Sequence, residues 1–237
     1  MKKLVTFLLM LIAGVAMAQP TVRIPASEFA EVLDSHPYLW TIKKEALADH
    51  TAGATTTFSS DKASAFKQNA FFTFLRCWTL EMQIRDLKNY QETILALKVE
   101  ESTLLLKQQL LALEAVSDLK KLEFEYQYQV SRLNSLTQHR YGAQPVLPEG
   151  WVWDAASGAD GEQVLRDKLT DLNGLIGLEE KFISKLKSQE PYMMLVEYAQ
   201  LKSYKQQRWD TLVEIARLQS YTMAAAPKGL PKDSGSN

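Results

Sequence analysis

Ala112-Leu113-Glu114-Ala115-Val116-Ser117-Asp118-Leu119 stands in the middle of 88 residues, Ala54 to Tyr141, that hold neither glycine nor proline. Nothing in such a run releases the backbone, so it should form one very long helix. Yet Ser117 or Asp118 can accept hydrogen bonds from the orphan N–H groups of a new helix, and the octet reads as a turn. The expectation is a helical hairpin with its tip, a candidate contact point for partners, at Leu113, Val116, Ser117, Asp118 and Leu119. Its first arm, 62–112, would reach about 75 Å and its second, 116–140, about 37 Å.

Outward from the octet the apolar residues step by three or four. Leu80, Ile84, Leu87, Tyr90, Ile94, Leu97, Leu104 and Leu111 precede it, and Val116, Leu119, Leu122, Tyr126, Val130, Leu133 and Leu136 follow. That spacing predicts amphipathic helices whose stripes must pack on something, since isolated helices are marginal in water. Tyr141-Gly142 ends the first hairpin, so it spans 62–142. Residues 143–161, with Pro145, Pro148, Gly150, Gly158 and Gly161, read as a linker. Trp151-Val152-Trp153 inside it reads either as a plug on the bundle end or as an exposed aromatic contact.

A second hairpin is predicted over 162–226. Val164, Leu165, Leu169, Leu172, Leu175, Ile176, Phe182, Ile183 and Leu186 line its first arm, loosened by Gly174 and Gly177. Ser188-Gln189-Glu190-Pro191 reads as the turn, with Pro191 at a helix start. Met194, Leu195, Tyr198, Leu201, Tyr204, Trp209, Leu212, Ile215 and Leu218 line the returning arm, and 227–237 reads as a disordered tail. Before the hairpins, 19–61 reads as short helices and a loop. Ser27 would cap the first helix, with Phe29, Val32 and Leu33 inward, and Pro37 would open the next, with Leu39, Trp40, Ile42 and Leu47 as its buried side. Residues 49–60 read as the loop, with one brief strand possible at Thr55-Thr56-Thr57-Phe58. The fold class is therefore all-α: long antiparallel hairpins in a coiled-coil-like four-helix bundle, with little or no β structure.

Lys2 and Lys3, the apolar run Leu4 to Val15 and Ala16-Met17-Ala18 read as a signal peptide over 1–18. The chain is thus expected to be exported, to the periplasm or outer membrane of a Gram-negative bacterium. Removing the two lysines leaves 25 basic against 28 acidic residues, a net charge near −3. This balance argues against nucleic acid and against an anionic membrane surface as main partners. Cys77 is the single cysteine, so no intrachain disulfide is possible. Set among Phe71, Phe72, Phe74, Leu75, Trp78 and Leu80, it reads as a buried packing thiol.

The sequence offers no catalytic constellation. His36, His50 and His139 are far apart and read as capping or surface residues, and no His or Cys spacing suits zinc. No phosphate-binding glycine loop or nucleophile elbow is present. Glu100-Glu101 and Glu179-Glu180 read as solvated helix faces. No catalytic residue, cofactor or metal is expected.

The octet resembles the periplasmic hairpin tip of the TolC family of outer-membrane efflux and secretion channels. That tip reads approximately Gly-Leu-x-x-x-Thr/Ser-Asp-Val/Leu; Leu113, Val116, Ser117, Asp118 and Leu119 fit it, with Leu122 and Tyr126 following in step. Pro191 to Trp209, with Glu197-Tyr198-Ala199-Gln200, is similar to the returning helix of the family's other half, and Val32 to Leu39 to its opening helix. Ala112 stands where the family has glycine, and 49–61 and 143–161 are too short for its barrel hairpins. The resemblance implies a TolC-like helical part without its membrane barrel. As partners it implies further copies of the chain, as a trimer, together with a periplasmic adaptor or inner-membrane transporter, and outer-membrane association through these. The alternative readings are a periplasmic helical holdase chaperone and a minor subunit of a pilus or conjugation apparatus.

Overall fold

The computed structural model describes residues 21–51, 57–152, 158–186 and 190–225. The expected signal peptide, the tail, Trp153, the Thr55-Thr56 pair and, of the predicted Ser188-Gln189-Glu190-Pro191 turn, Ser188 and Gln189 lie outside the described residues. The order is β1 (Val22–Ile24), α1 (Ala26–Asp34), α2 (Pro37–Thr51), α3 (Thr57–Ala96), α4 (Ser102–Tyr141), β2 (Val146–Pro148), α5 (Glu162–Lys185) and α6 (Pro191–Ala225). The protein is all-α, as its periodicity predicts. Much of the stretch read as a loop over 49–60 is helical.

The first hairpin turns elsewhere than expected. α3 and α4 are each 40 residues long, about 60 Å at the α-helical rise. They meet at Leu97–Glu101, where the helical backbone breaks. A break without glycine or proline needs another partner for the last carbonyls of α3. Gln108 supplies it: its Nε2 donates to the carbonyl oxygens of Ile94 at 2.6 Å and Leu97 at 2.9 Å. The octet lies inside α4, a turn and more beyond this buried glutamine.

Four helices pack in the order α4–α3–α6–α5, and α4 and α5 are not packed on one another. Arg76 to Glu125 and Gln108 to Ile94 show α4 antiparallel to α3. Gln83 to Gln206 and Arg217 over Phe72 show the same for α3 and α6. Glu180 to Lys205, with Leu169 packed against Leu212, gives it for α6 and α5. Directions therefore alternate across the array, and both hairpin turns lie at one end.

The other end is closed by the N-terminal segment. β1 and β2 pair in parallel, Val22 with Val146 through Ile24 with Pro148. This turns part of the predicted linker into structure. α1 buries Phe29, Val32 and Leu33 as expected, with Phe29 stacked on Phe74 at 4.6 Å. Its N-cap position is Pro25, so Ser27 lies in the first turn and caps nothing. α2 starts at Pro37 and buries Leu39 and Ile42, whereas Trp40 and Leu47 are exposed. Cys77 is fully buried in this core, and burial pushes its thiol up to about 12. Trp151 plugs the seam: its ring meets Trp78 edge-on at 5.6 Å, and its Nε1 donates to Gln219 at 2.6 Å. Gly142 ends α4 with φ 61°, a conformation glycine adopts without steric cost.

Candidate functional site

The five residues read as a hairpin tip occupy one continuous stretch of α4, and this corrects the sequence-based placement. Leu119 is buried, Val116 is half-buried, and Leu113 and Ser117 are exposed. Asp118 caps no helix. It bridges α4 to α6, with Oδ2 2.9 Å from Lys202 Nζ and Oδ1 3.4 Å from Lys121 Nζ. Burial works to raise the Asp118 carboxyl, but the Lys202 and Lys121 ammonium groups outweigh it and hold the group below its ordinary range. Ala112 and Ala115 are buried against Tyr90, Ile94 and Leu195. These two small residues, three positions apart on one helix face, let α4 approach α3 and the start of α6 together.

The inward face of α4 carries Gln108, Ala112, Ala115, Leu119, Gln129, Leu133 and Thr137. Much of the helix's large apolar surface lies on the opposite side. Leu106, Leu110, Leu113, Phe124 and Tyr128 are all exposed, Phe124 to 76%. Their spacing, completed by Ser117, places them in one outward stripe about 33 Å long. α5 has a matching feature. Leu169, Leu172, Ile176 and Ile183 face inward, while Val164, Leu175, Leu178 and Phe182 are exposed along a second stripe. The single apolar face read for this arm is thus two faces, one inward and one outward. α4 and α5 are the two edge helices of the array, so each edge presents an apolar seam.

Charges of both signs accompany the stripes: Glu114, Lys120 and Lys121 border the α4 stripe, and Asp167, Lys168 and Asp171 lie on or beside the α5 stripe. Asp118 is tied to Lys202, and Glu180 to Lys205 one turn along α6. Ser117 and Leu178 therefore lie at the same height along the array to within about a helical turn.

Two further clusters of titratable groups stand among the described residues. His36 and His139, distant in sequence, meet with ring centroids 5.1 Å apart beside Ser35 and Phe66. Burial and then His139 lower the His36 pKa. Burial and the neighbouring Glu197 carboxyl raise Glu179, which the sequence placed on a solvated face. Among the described residues no group of three or more His, Cys, Asp or Glu is placed to hold a metal ion. Among them, too, no helix is long and apolar enough to cross a membrane.

Fold and surface together define an all-α protein of two paired hairpins with apolar outer edges. No protein-family model matches the chain, and no curated protein or solved structure matches it. The resemblance to the TolC family thus rests on sequence alone, and its central motif sits within a helix.

Proposed function

We propose that this chain is a non-catalytic assembly component of the bacterial envelope, an exported helical subunit that packs side by side with further copies of itself in an efflux or secretion conduit. One observation carries the reading: the array α4–α3–α6–α5 has apolar seams on the outward faces of both its edge helices. Exposed large apolar side chains gathered on one helix face point to an interaction site. Adding the α5 edge of one copy to the α4 edge of the next continues the alternation of helix direction. Such a head-to-tail contact closes into a ring when the rotation between copies permits, and the three-to-four spacing of both stripes suits knobs-into-holes packing. An adaptor or inner-membrane transporter would then meet the ring at its turn end.

Cysteine cross-linking tests the contact. Ser117→Cys and Leu178→Cys in one chain should give a ladder of disulfide-linked multimers on mild oxidation, while either substitution alone stops at the dimer or below. Cys77 stays silent, since its thiol is buried and pushed up to about 12. Absence of a ladder from the double variant contradicts the pairing. If the protein instead stays monomeric and suppresses aggregation of a denatured outer-membrane protein, the same apolar seams serve a holdase.

A further inference from the structure

Assembly aside, α2 is held at its start by a histidine that can serve there only while neutral. α2 opens at Pro37, so His36 occupies the N-cap position, and its carbonyl accepts from the Leu39 N–H at 3.0 Å. Its side chain completes the cap: His36 Nδ1 lies 3.1 Å from the Tyr38 backbone nitrogen and accepts that N–H. An imidazole nitrogen accepts only through a bare lone pair, so Nδ1 carries no proton and Nε2 carries it. The ring is half-buried, 4.9 Å from the Phe66 ring on α3.

A second histidine opposes the charged form from another helix. The His139 ring, in the last turn of α4, stands 5.1 Å from the His36 ring, edge to face. Ser35 fixes its tautomer. The Ser35 hydroxyl donates its proton to the Val32 carbonyl at 2.9 Å, so it accepts from His139, whose Nε2 carries a proton at 3.3 Å. Of the other charges around His36, Lys62 of α3 lines the same cleft and is a further cation, and Asp34 of α1 is bound to Lys67 of α3. Arg140 of α4 lies over the Tyr141 ring. Within α2 the first charges, Lys43 and Lys44, come about two turns later. Burial first, and then His139, lowers the His36 pKa.

We propose that His36 makes α2 an acid-released flap, docked while the imidazole is neutral and freed when it takes a proton. Protonation at Nδ1 turns the cap acceptor into a donor aimed at the Tyr38 N–H, at the positive end of the helix dipole. It also sets an imidazolium beside His139 and Lys62. Undocking relieves these conflicts, because the ring then reaches water. Little apolar contact opposes it: among the described side chains of α2 only Leu39 and Ile42 are buried. Release uncovers both, together with the part of α3 around Phe66, which Tyr38 now touches. Because the docked pKa lies below the free one, docking is fully favoured above about pH 6.5, and that contribution is lost as pH falls through the docked value. Between the two values the local opening equilibrium rises about tenfold per pH unit.

Amide NMR of the purified full chain between about pH 8 and about pH 5 tests this across the histidine range, with the Tyr38 amide reporting the cap itself. The Tyr38 and Leu39 signals should shift or broaden together with the His36 ring titration, at a midpoint below about pH 6.5. Amides of Phe74 and Leu75, fully buried in the core, should stay fixed. His36→Asn keeps a capping side chain that does not titrate, and α2 should then stay docked throughout. His139→Gln removes the opposing charge and should raise the His36 midpoint. Circular dichroism of each variant at the upper pH confirms an intact fold, and if His36→Asn misfolds the wild-type and His139→Gln titrations decide. A Tyr38 amide that stays fixed over the whole range overturns the proposal. An equal acid response of α2 in His36→Asn overturns it as well, since the proton then acts elsewhere.

Discussion

At the scale of single residues, Asp118 and Gln108 carry the difference between what the sequence suggests and how the chain folds. A Ser-Asp pair before an apolar run is a sound helix-start signal, but it competes with a tertiary partner. Lys202, 84 residues away, takes the Asp118 carboxylate as an ion pair, and no local pattern announces that. Gln108 is the opposite case. A glutamine at an inward heptad position beside leucines looks like a fault in the stripe, and its role becomes visible only once the carbonyls of Ile94 and Leu97 are seen to need donors. Gln108→Leu should therefore lower the unfolding free energy by about 1–3 kcal/mol, read as a shift of the urea midpoint at unchanged slope. Asp118→Asn should cost less, about 0.5–1 kcal/mol at pH 7, because the pair is partly open to solvent. Its lysine partners lower the Asp118 pKa, so the stabilisation is complete above the unfolded-state value near ~4. It fades as pH falls through the lower folded-state value. Urea curves of wild type and Asp118→Asn should thus differ at pH 7 and converge in strong acid; a constant difference would exclude the ion pair as its source.

At the scale of elements, helix existence was legible and helix facing was not. Periodicity finds every long helix because the apolar steps of three and four persist, and Gly142 and Pro191 mark boundaries that the structure keeps. It does not say which stripe turns inward when a helix has two. α4 buries Ala112, Ala115 and Gln129 and exposes Leu110, Leu113 and Phe124, the reverse of what hydrophobicity alone would choose. The parallel pair β1–β2 was equally hidden, since three-residue strands separated by more than a hundred residues leave no periodic signal. Gly174 and Gly177 lie within continuous α5, and an added Cβ would meet nothing within 4 Å at either. Helical glycine costs about 0.5–1 kcal/mol relative to alanine. Gly174→Ala and Gly177→Ala should each raise the thermal midpoint, and together nearly additively. A fall in either midpoint would show that the glycine serves a close contact between copies.

At the scale of the whole molecule, the order α4–α3–α6–α5 leaves two edges where a self-contained bundle would pack its first helix on its last. Each edge faces outward and exposes large apolar side chains, Leu106 to Tyr128 on α4 and Val164 to Phe182 on α5. In the proposed assembly these two edges are covered by neighbouring copies of the chain. The most direct measurement is the molar mass of the purified protein by light scattering after size exclusion, for wild type and for the α4-edge substitutions Leu110→Glu and Phe124→Glu. These positions are exposed, so helicity and thermal midpoint should change little. Side-by-side assembly predicts a defined multimer for wild type that falls to the monomer mass in the edge variants. A wild-type protein that remains monomeric across the accessible concentration range, or a multimer that both substitutions leave intact, would contradict it.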